Sequence, residues 1–334
     1  MKKNTLLQKL VKGKAMFLLL LILVVLAITY IVKPASFTIG NAKQLMQNIS
    51  FIGVISVGVC CLFICGGIDF STSAHATVGM VFFALCLQKF ESVPWPVFIL
   101  APVVFGIIAG LVNAFFSEVL NLMPFIATIG MQSVWSGGIM WYVNAQPIQI
   151  TRASFTTLAT KYIGPVPVFF LFFIALAIIY SIALRYTTLG RSMYMVGGNP
   201  AAARLAGINI SRTKTLVFIN NGILAALGGL VWASQQGMGS PNGLTSSTPE
   251  MTAMSASILG GVAFSGGAGG LGGAFFGVCL VTALTYALQA MGLPLWTVTM
   301  VNGLLLVTAL TLDSLRSRKQ MKAMQGMGMP GMSR

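Results

Sequence analysis

Side chains able to do acid–base, nucleophilic or metal chemistry are few in this sequence. The 334 residues include five acidic side chains, Asp69, Glu91, Glu118, Glu250 and Asp313, and one histidine, His75. They fall in separate segments, which leaves no material for paired carboxylates, a nucleophile–base–acid set or a metal cage. A lone histidine within an apolar stretch is expected to pack and to hydrogen-bond to a neighbouring helix. Cys60, Cys61, Cys65, Cys86 and Cys279 all lie among apolar residues, where a free thiol behaves as a small hydrophobe, and their spacing fits no disulfide or metal framework. Met321, Met324, Met327, Met329 and Met332 offer thioethers of the kind that hold Cu(I), but the glycine and proline around them predict a flexible tail instead. No G-x-x-x-x-G-K-[ST] phosphate loop occurs, so any ATP hydrolysis that drives this chain belongs to another. The expectation is no catalytic residue, no metal site and no enzyme activity.

The elements that carry these residues are apolar helices. Hydrophobic residues make up 56% of the chain and charged residues 7%, against about 25% charged in soluble domains. Runs such as 16–32, 215–233 and 271–290 approach or reach the about 20 apolar residues that cross a bilayer core. Ten spans are expected, at roughly 16–32, 45–65, 70–88, 94–116, 124–143, 166–184, 214–234, 251–265, 270–290 and 294–312, with prolines at several of their edges. The first run lacks a small-residue cleavage site after it and reads as a retained span.

The net charge of +15 is distributed as a membrane orientation would require. Five basic residues precede the first span, five lie between Arg185 and Lys214, and five run from Arg316 to Arg334. With ten spans and a cytoplasmic N-terminus, these fifteen face the cytoplasm. Lys33, Lys43, Lys89, Arg152 and Lys161 face outward. This asymmetry accounts for the basic charge without a nucleic-acid partner. The organisation predicted is a basic cytoplasmic N-terminus over 1–15, a transmembrane domain over 16–312 with a cytoplasmic loop at 185–213, and a Met-rich cytoplasmic tail over 313–334.

Two glycine-rich breaks interrupt this pattern, one in each half. The first is Gly66-Gly67-Ile68-Asp69-Phe70-Ser71, and the second holds Gly260, Gly261, Gly266, Gly267 and Gly269. Irregular backbone at membrane depth needs burial in protein or a water-lined cavity, so a substrate path and tight helix packing both fit. Asp69 is expected near the cytoplasmic end of the second and third spans, where capping the third through backbone N–H groups is favoured over a direct part in gating. Asn113, Asn220, Asn221 and Asn302 sit in apolar surroundings and are expected to hydrogen-bond between helices. The loops 144–165 and 235–250 read either as solvated connections or as surfaces for an external partner.

The cytoplasmic loop contains a short, well-capped helix. Asn199 can accept from the first free N–H groups, Pro200 fits the first helical position, Ala201 to Ala206 propagate, and Gly207 can take the left-handed stop. A helix this short is unstable alone in water. It must dock, either on its own bundle or in a groove of a cytoplasmic partner.

The string Gly197-Gly198-Asn199-Pro200-Ala201-Ala202-Ala203-Arg204-Leu205-Ala206-Gly207-Ile208-Asn209 resembles a motif of permeases in ribose/galactose-type ABC sugar importers. Gly66 to Ser71, and Ile258-Leu259-Gly260-Gly261 with Ser265 to Gly269, resemble two more, in the family's order along nearly the whole chain. The resemblance implies a bacterial inner-membrane permease that pairs with a second permease copy or paralogue. It also implies cytoplasmic ATPase subunits, which bind ATP and Mg, and an extracytoplasmic sugar-binding protein. Asn199, Pro200, Ala202, Ala203, Arg204, Leu205, Gly207 and Ile208 would form the helix that couples to the ATPase. Gly66, Gly67, Asp69, Ser71, Gly260, Gly261, Gly266, Gly267 and Gly269 would lie at pore-side helix breaks. The chain departs from the family at Phe70, where leucine is usual, and at Thr72-Ser73-Ala74, where Val-Gly-Ser is usual. It lacks an acidic residue at Thr252. The alternative is an ATP-independent secondary transporter or channel, disfavoured by the scarcity of intramembrane ionisable residues.

Overall fold

A computed structural model describes residues 14–90, 92–152, 155, 161–244 and 247–326. Among these, twelve α-helices follow one another: α1 Lys14–Val32, α2 Ile39–Ile64, α3 Thr72–Lys89, α4 Leu100–Ala114, α5 Pro124–Tyr142, α6 Val168–Tyr186, α7 Thr188–Gly198, α8 Pro200–Leu205, α9 Ile210–Gln236, α10 Pro249–Leu259, α11 Leu271–Ala290 and α12 Leu295–Gly326. A 3-10 turn, Trp95–Ile99, leads into α4, and a π turn, Phe115–Val119, leads out of it. Four two-residue strands form two small antiparallel ladders: β1 Ile148–Gln149 with β4 Met238–Gly239, and β2 Tyr162–Ile163 with β3 Val166–Pro167.

A helix lies at each of the ten expected spans, and α7 and α8 fill the loop over 185–213. Seven of the helical segments are long and apolar enough to cross a membrane, those of α1, α2, α4 with its flanking turns, α6, α9, α11 and α12. The protein is an all-α polytopic membrane protein. Three details correct the expectations. The segment read as a span over 251–265 is helical only to Leu259. At 1.5 Å per residue, these 11 residues cover about 16 Å, half of a hydrocarbon core of about 30 Å. The tail does not begin at 313 as flexible chain: α12 continues to Gly326 and carries Met321 and Met324, while Met327, Met329 and Met332 lie outside the described residues. Finally, the connection 237–248 is not simply solvated. Pro241 and Leu244 are buried, and Gly239 sits against Met80 and Ala84 of α3.

The centre of the bundle is α9, packed on α2, α3 and α4. Small residues set the distances. Gly106 and Gly110 of α4 lie against the backbone of α9 at Gly222 and Ile219, and Gly229 of α9 lies against Ala76 of α3. Lipid gives no hydrophobic drive to helix association, so such close backbone approach is how helices gain dispersion contacts. Large apolar side chains cover the outside instead, among them Ile31, Phe125, Ile178, Trp296 and Met300. That surface suits hydrocarbon, not water.

Candidate functional site

Two clusters hold the residues singled out by the sequence. The first is buried around Asp69. After α2 ends at Ile64, the chain turns at Gly66 (φ +74°) and rises before α3 begins. Asp69 is fully buried. Its Oδ1 accepts from the Ser71 backbone N–H at 2.8 Å and the Ser71 hydroxyl at 2.5 Å, and its Oδ2 accepts from Asn113 Nδ2 at 3.1 Å and Asn221 Nδ2 at 3.0 Å. Four donors therefore compensate a carboxylate that would otherwise be costly inside a membrane. The cap expected of Asp69 takes the form of a turn on Ser71, the residue just before α3, and it ties α3 to α4 and α9 as well. The carboxylate also sits deeper than expected, level with Asn221 inside α9 and not at a helix end.

His75 completes this cluster. Its Nε2 lies 3.1 Å from the Ser71 hydroxyl oxygen. That hydroxyl gives its one proton to Asp69, so Nε2 must be the donor. Nδ1 faces Asp69 Oδ2 at 4.0 Å and has no hydrogen-bond partner. The bond expected to a neighbouring helix thus runs to the turn before its own helix, while the ring meets Phe105 of α4 edge-on. The other intramembrane asparagines do bridge helices: Asn220 accepts from Tyr180 of α6, and Asn302 of α12 donates to Thr252 of α10 at 3.3 Å.

The second cluster is a junction of backbones beneath α8. Asn199 Oδ1 accepts from Ala202 N at 3.0 Å, Pro200 opens the helix, and Gly207 (φ +80°) ends it, with Ile208 N donating to Ala203 O at 3.0 Å. Ala203 is buried and Ile208 half-buried against the bundle. Pro200, Ala202, Arg204, Gly207 and Leu205 point away, Leu205 with 91% of its surface open. The helix docks by one face and presents the other.

Directly before it, the last turn of α7 is clasped by both glycine breaks. Gly197 lies against Gly66, with 3.5 Å between its Cα and the place a Gly66 Cβ would take. Gly266 and Gly267 also approach Gly197 and Gly198, and Gly267 N donates to Ile64 O at 2.9 Å. Any side chain on Gly197 would overlap that same Ile64 carbonyl oxygen. Tyr194 of α7 donates its hydroxyl to Gly269 O at 2.8 Å, and burial raises its pKa above the ordinary tyrosine value, so it stays a donor. Asp313 of α12 accepts from Phe264 N at 3.1 Å and steadies the loop from behind.

The structure therefore brings Gly66, Gly266 and Gly267 to the base of α8, and places Asp69 and Ser71 in the separate buried cluster. Gly67 packs on Leu62; Gly260 and Gly261 form the turn closing α10, and Gly269 folds back over Val262. Sequence reasoning missed Tyr194, Ile64 and Asp313 as parts of the junction. Tyr194 lies only three residues before Gly197 and was a usable signal. A backbone carbonyl such as that of Ile64 leaves none. Among the described residues, no group of three or more His, Cys, Asp or Glu side chains could hold a metal ion.

Comparison with known proteins agrees with this architecture. Residues 41–310 match the family described as branched-chain amino acid transport system / permease component. The galactose/methyl galactoside import permease protein MglC of Haemophilus influenzae is 30% identical over 329 residues, covering 93% of this chain and 96% of that protein. A probable ABC transporter permease protein, YphD of Escherichia coli, is 32% identical over 90% of this chain and 91% of its own. The ribose import permease protein RbsC of Haemophilus influenzae is 28% identical over 90% of this chain and 93% of its own. No solved structure matches. With most of its length matched and its helices built for lipid, the chain belongs to this family of permease components and is a multi-pass inner-membrane subunit of an ABC importer.

Proposed function

We propose that this permease carries a sugar or a sugar-like small polar solute inward, and that α8 couples it to cytoplasmic ATPase subunits. The chain crosses the membrane ten times in this reading, with α3, α5 and α10 added to the seven long apolar helical segments and both termini in the cytoplasm. ATP and Mg are bound by the ATPase, an extracytoplasmic binding protein delivers the solute, and a second permease, a copy or a paralogue, completes the pathway. The relatives named for galactose and ribose import support the solute class.

The observation that carries the coupling role is the junction at Gly197. A displacement of α8 by a partner reaches α7 directly. From there it meets the end of α2 at Ile64 and the loop between α10 and α11 at Gly266 and Gly267. Both are breaks in the helical pattern, where backbone can shift without unwinding a continuous helix. Gly66, Gly67, Gly260, Gly261 and Gly269 belong to the same moving parts in this reading. Asp69 and Ser71 hold the adjoining helices together.

The test is affinity purification of the tagged permease from native membranes in mild detergent, with mass spectrometry of what accompanies it. The expected result is an ABC ATPase that is lost from the complex when Leu205→Asp is introduced, while the permease remains folded. A permease that purifies alone and moves solute in ATP-free liposomes would overturn the coupling role in favour of an ATP-independent carrier.

A further inference from the structure

A cavity with several polar side chains in its wall lies far from α8. It measures about 160 Å³ and is walled by α2, α9, α10, α11 and α12. Its lining includes Asn48, near the start of α2, Trp232, near the end of α9, and Gln289, near the end of α11. It therefore opens toward the end of the bundle that carries the 237–248 and 291–294 connections, opposite Ile64 and the junction.

The wall mixes apolar side chains, among them Phe51, Ile52, Leu295 and Val298, with uncharged polar ones. Carboxamides come from Asn48, Gln289 and Asn302, hydroxyls from Thr252, Thr282 and Thr285 among others, and no charged side chain lines it among the described residues. Thr282 is 4% exposed, and its hydroxyl has no hydrogen-bond partner; neither has that of Thr285. Buried polar atoms are almost always paired in native proteins, by protein or by water, so two unpaired hydroxyls on one helix face, one turn apart, mark a place where something else supplies the bonds. At about 30 Å³ per water the cavity holds roughly five waters. Trp232 adds a flat apolar wall on which the carbon face of a ring can rest.

We propose that this cavity is a binding site, within a single protomer, for a small neutral polyhydroxylated molecule of the pentose or hexose class. Thr282 and Thr285 offer both donor and acceptor to adjacent hydroxyls, and the carboxamides of Asn302 and Gln289 do the same from facing helices. The absence of any cation in the wall selects against phosphorylated analogues, because a charged group would lose its hydration without a counter-charge. The site rests on the importer reading only for its orientation, which turns its mouth to the outside.

The experiment uses the full-length permease in lipid nanodiscs, without ATPase or binding protein, and equilibrium binding of labelled D-ribose, D-galactose and D-ribose 5-phosphate. The expected result is saturable binding of at least one neutral sugar and none of the phosphate ester. Thr282→Val and Thr285→Val keep the volume and remove one hydroxyl each, and each should weaken binding about fivefold, the worth of one net hydrogen bond. Thr285→Leu, which fills the cavity, should abolish it. No saturation by either neutral sugar up to about 50 mM would overturn the proposal on the wild-type protein alone. So would binding that all three variants leave unchanged. Failure to capture an ATPase leaves this binding result intact, so the two readings fail separately.

Discussion

Replacing Gly197 by alanine places one methyl group where the structure has no room. The new Cβ would overlap the Ile64 carbonyl oxygen and lie 2.7 Å from Gly267 N. Those two atoms are themselves joined by the 2.9 Å hydrogen bond between α2 and the α10–α11 loop. Carbon atoms need about 3.5 Å or more, so the backbones must part and the bond is lost. Overpacking costs about 1–3 kcal/mol, and the broken bond about 1 kcal/mol more. Alanine returns up to about 1 kcal/mol through its helix propensity in α7, leaving a net loss of about 1–4 kcal/mol. Gly198 provides the control, because a Cβ there meets only Gly267 Cα at 3.7 Å, an ordinary contact. Thermal unfolding of the two purified variants, followed by solute uptake per folded permease with the ATPase present, separates them. Gly197→Ala should melt below the wild type and lose uptake while ATP hydrolysis continues. Gly198→Ala should match the wild type in all three. Equal behaviour of the two variants would refute the junction as the path from α8 to the helix breaks.

Asp69→Ala should reduce the yield of folded permease, because it leaves one N–H of each of the Asn113 and Asn221 amides without its acceptor, at about 1–3 kcal/mol each, while their other N–H groups keep Ser71 and Thr72. Asp69→Asn, which keeps an acceptor, should do less harm, and size-exclusion profiles compare the two; a folded but inactive Asp69→Ala would assign the residue to gating instead. Asn199→Ala should lower the melting temperature slightly through loss of a cap worth about 1 kcal/mol. Tyr194→Phe should leave the fold intact and weaken the junction by about 0.5–1.5 kcal/mol, read as a partial loss of uptake. Glu118→Gln removes the 3.3 Å pair with Lys214, whose side chain is partly exposed, and should cost no more than about 1 kcal/mol in a melt at moderate salt.

Much of the architecture could be read from the sequence because lipid imposes a simple rule. Each apolar run must satisfy its own backbone, so run length and proline position nearly determine the helices. The same economy made α8 legible: an asparagine, a proline and a glycine at cap spacing leave little freedom. The failures have a common origin in side-chain and backbone contacts between distant segments. The two glycines at 260 and 261 mark a break locally, but the valine, alanine and phenylalanine that follow them let the span be read on to 265. It stops because Gly260 packs on Gly273 and Ala274 and the loop is held by Asp313, 49 residues from the Phe264 amide it binds. Asp69 was expected near a helix end for a similar reason. Its depth is set by α4 and α9, whose asparagines were visible as interhelical donors but not as its own partners.

The burial of Asp69 also constrains how the protein is made. Asn113 follows it by 44 residues and Asn221 by 152. At about 5–20 residues per second, α9 leaves the ribosome roughly 8–30 s after Asp69. During that interval the carboxylate first lacks two of its four donors, Asn113 and Asn221, and then Asn221 alone. A lone aspartate at the bilayer centre opposes insertion by about 2.5–3.5 kcal/mol, and α3 is not among the seven helical segments apolar enough to cross unaided. The set of donors around Asp69 is therefore complete only once α9 has been made, so the buried carboxylate ties the first half of the chain to the second.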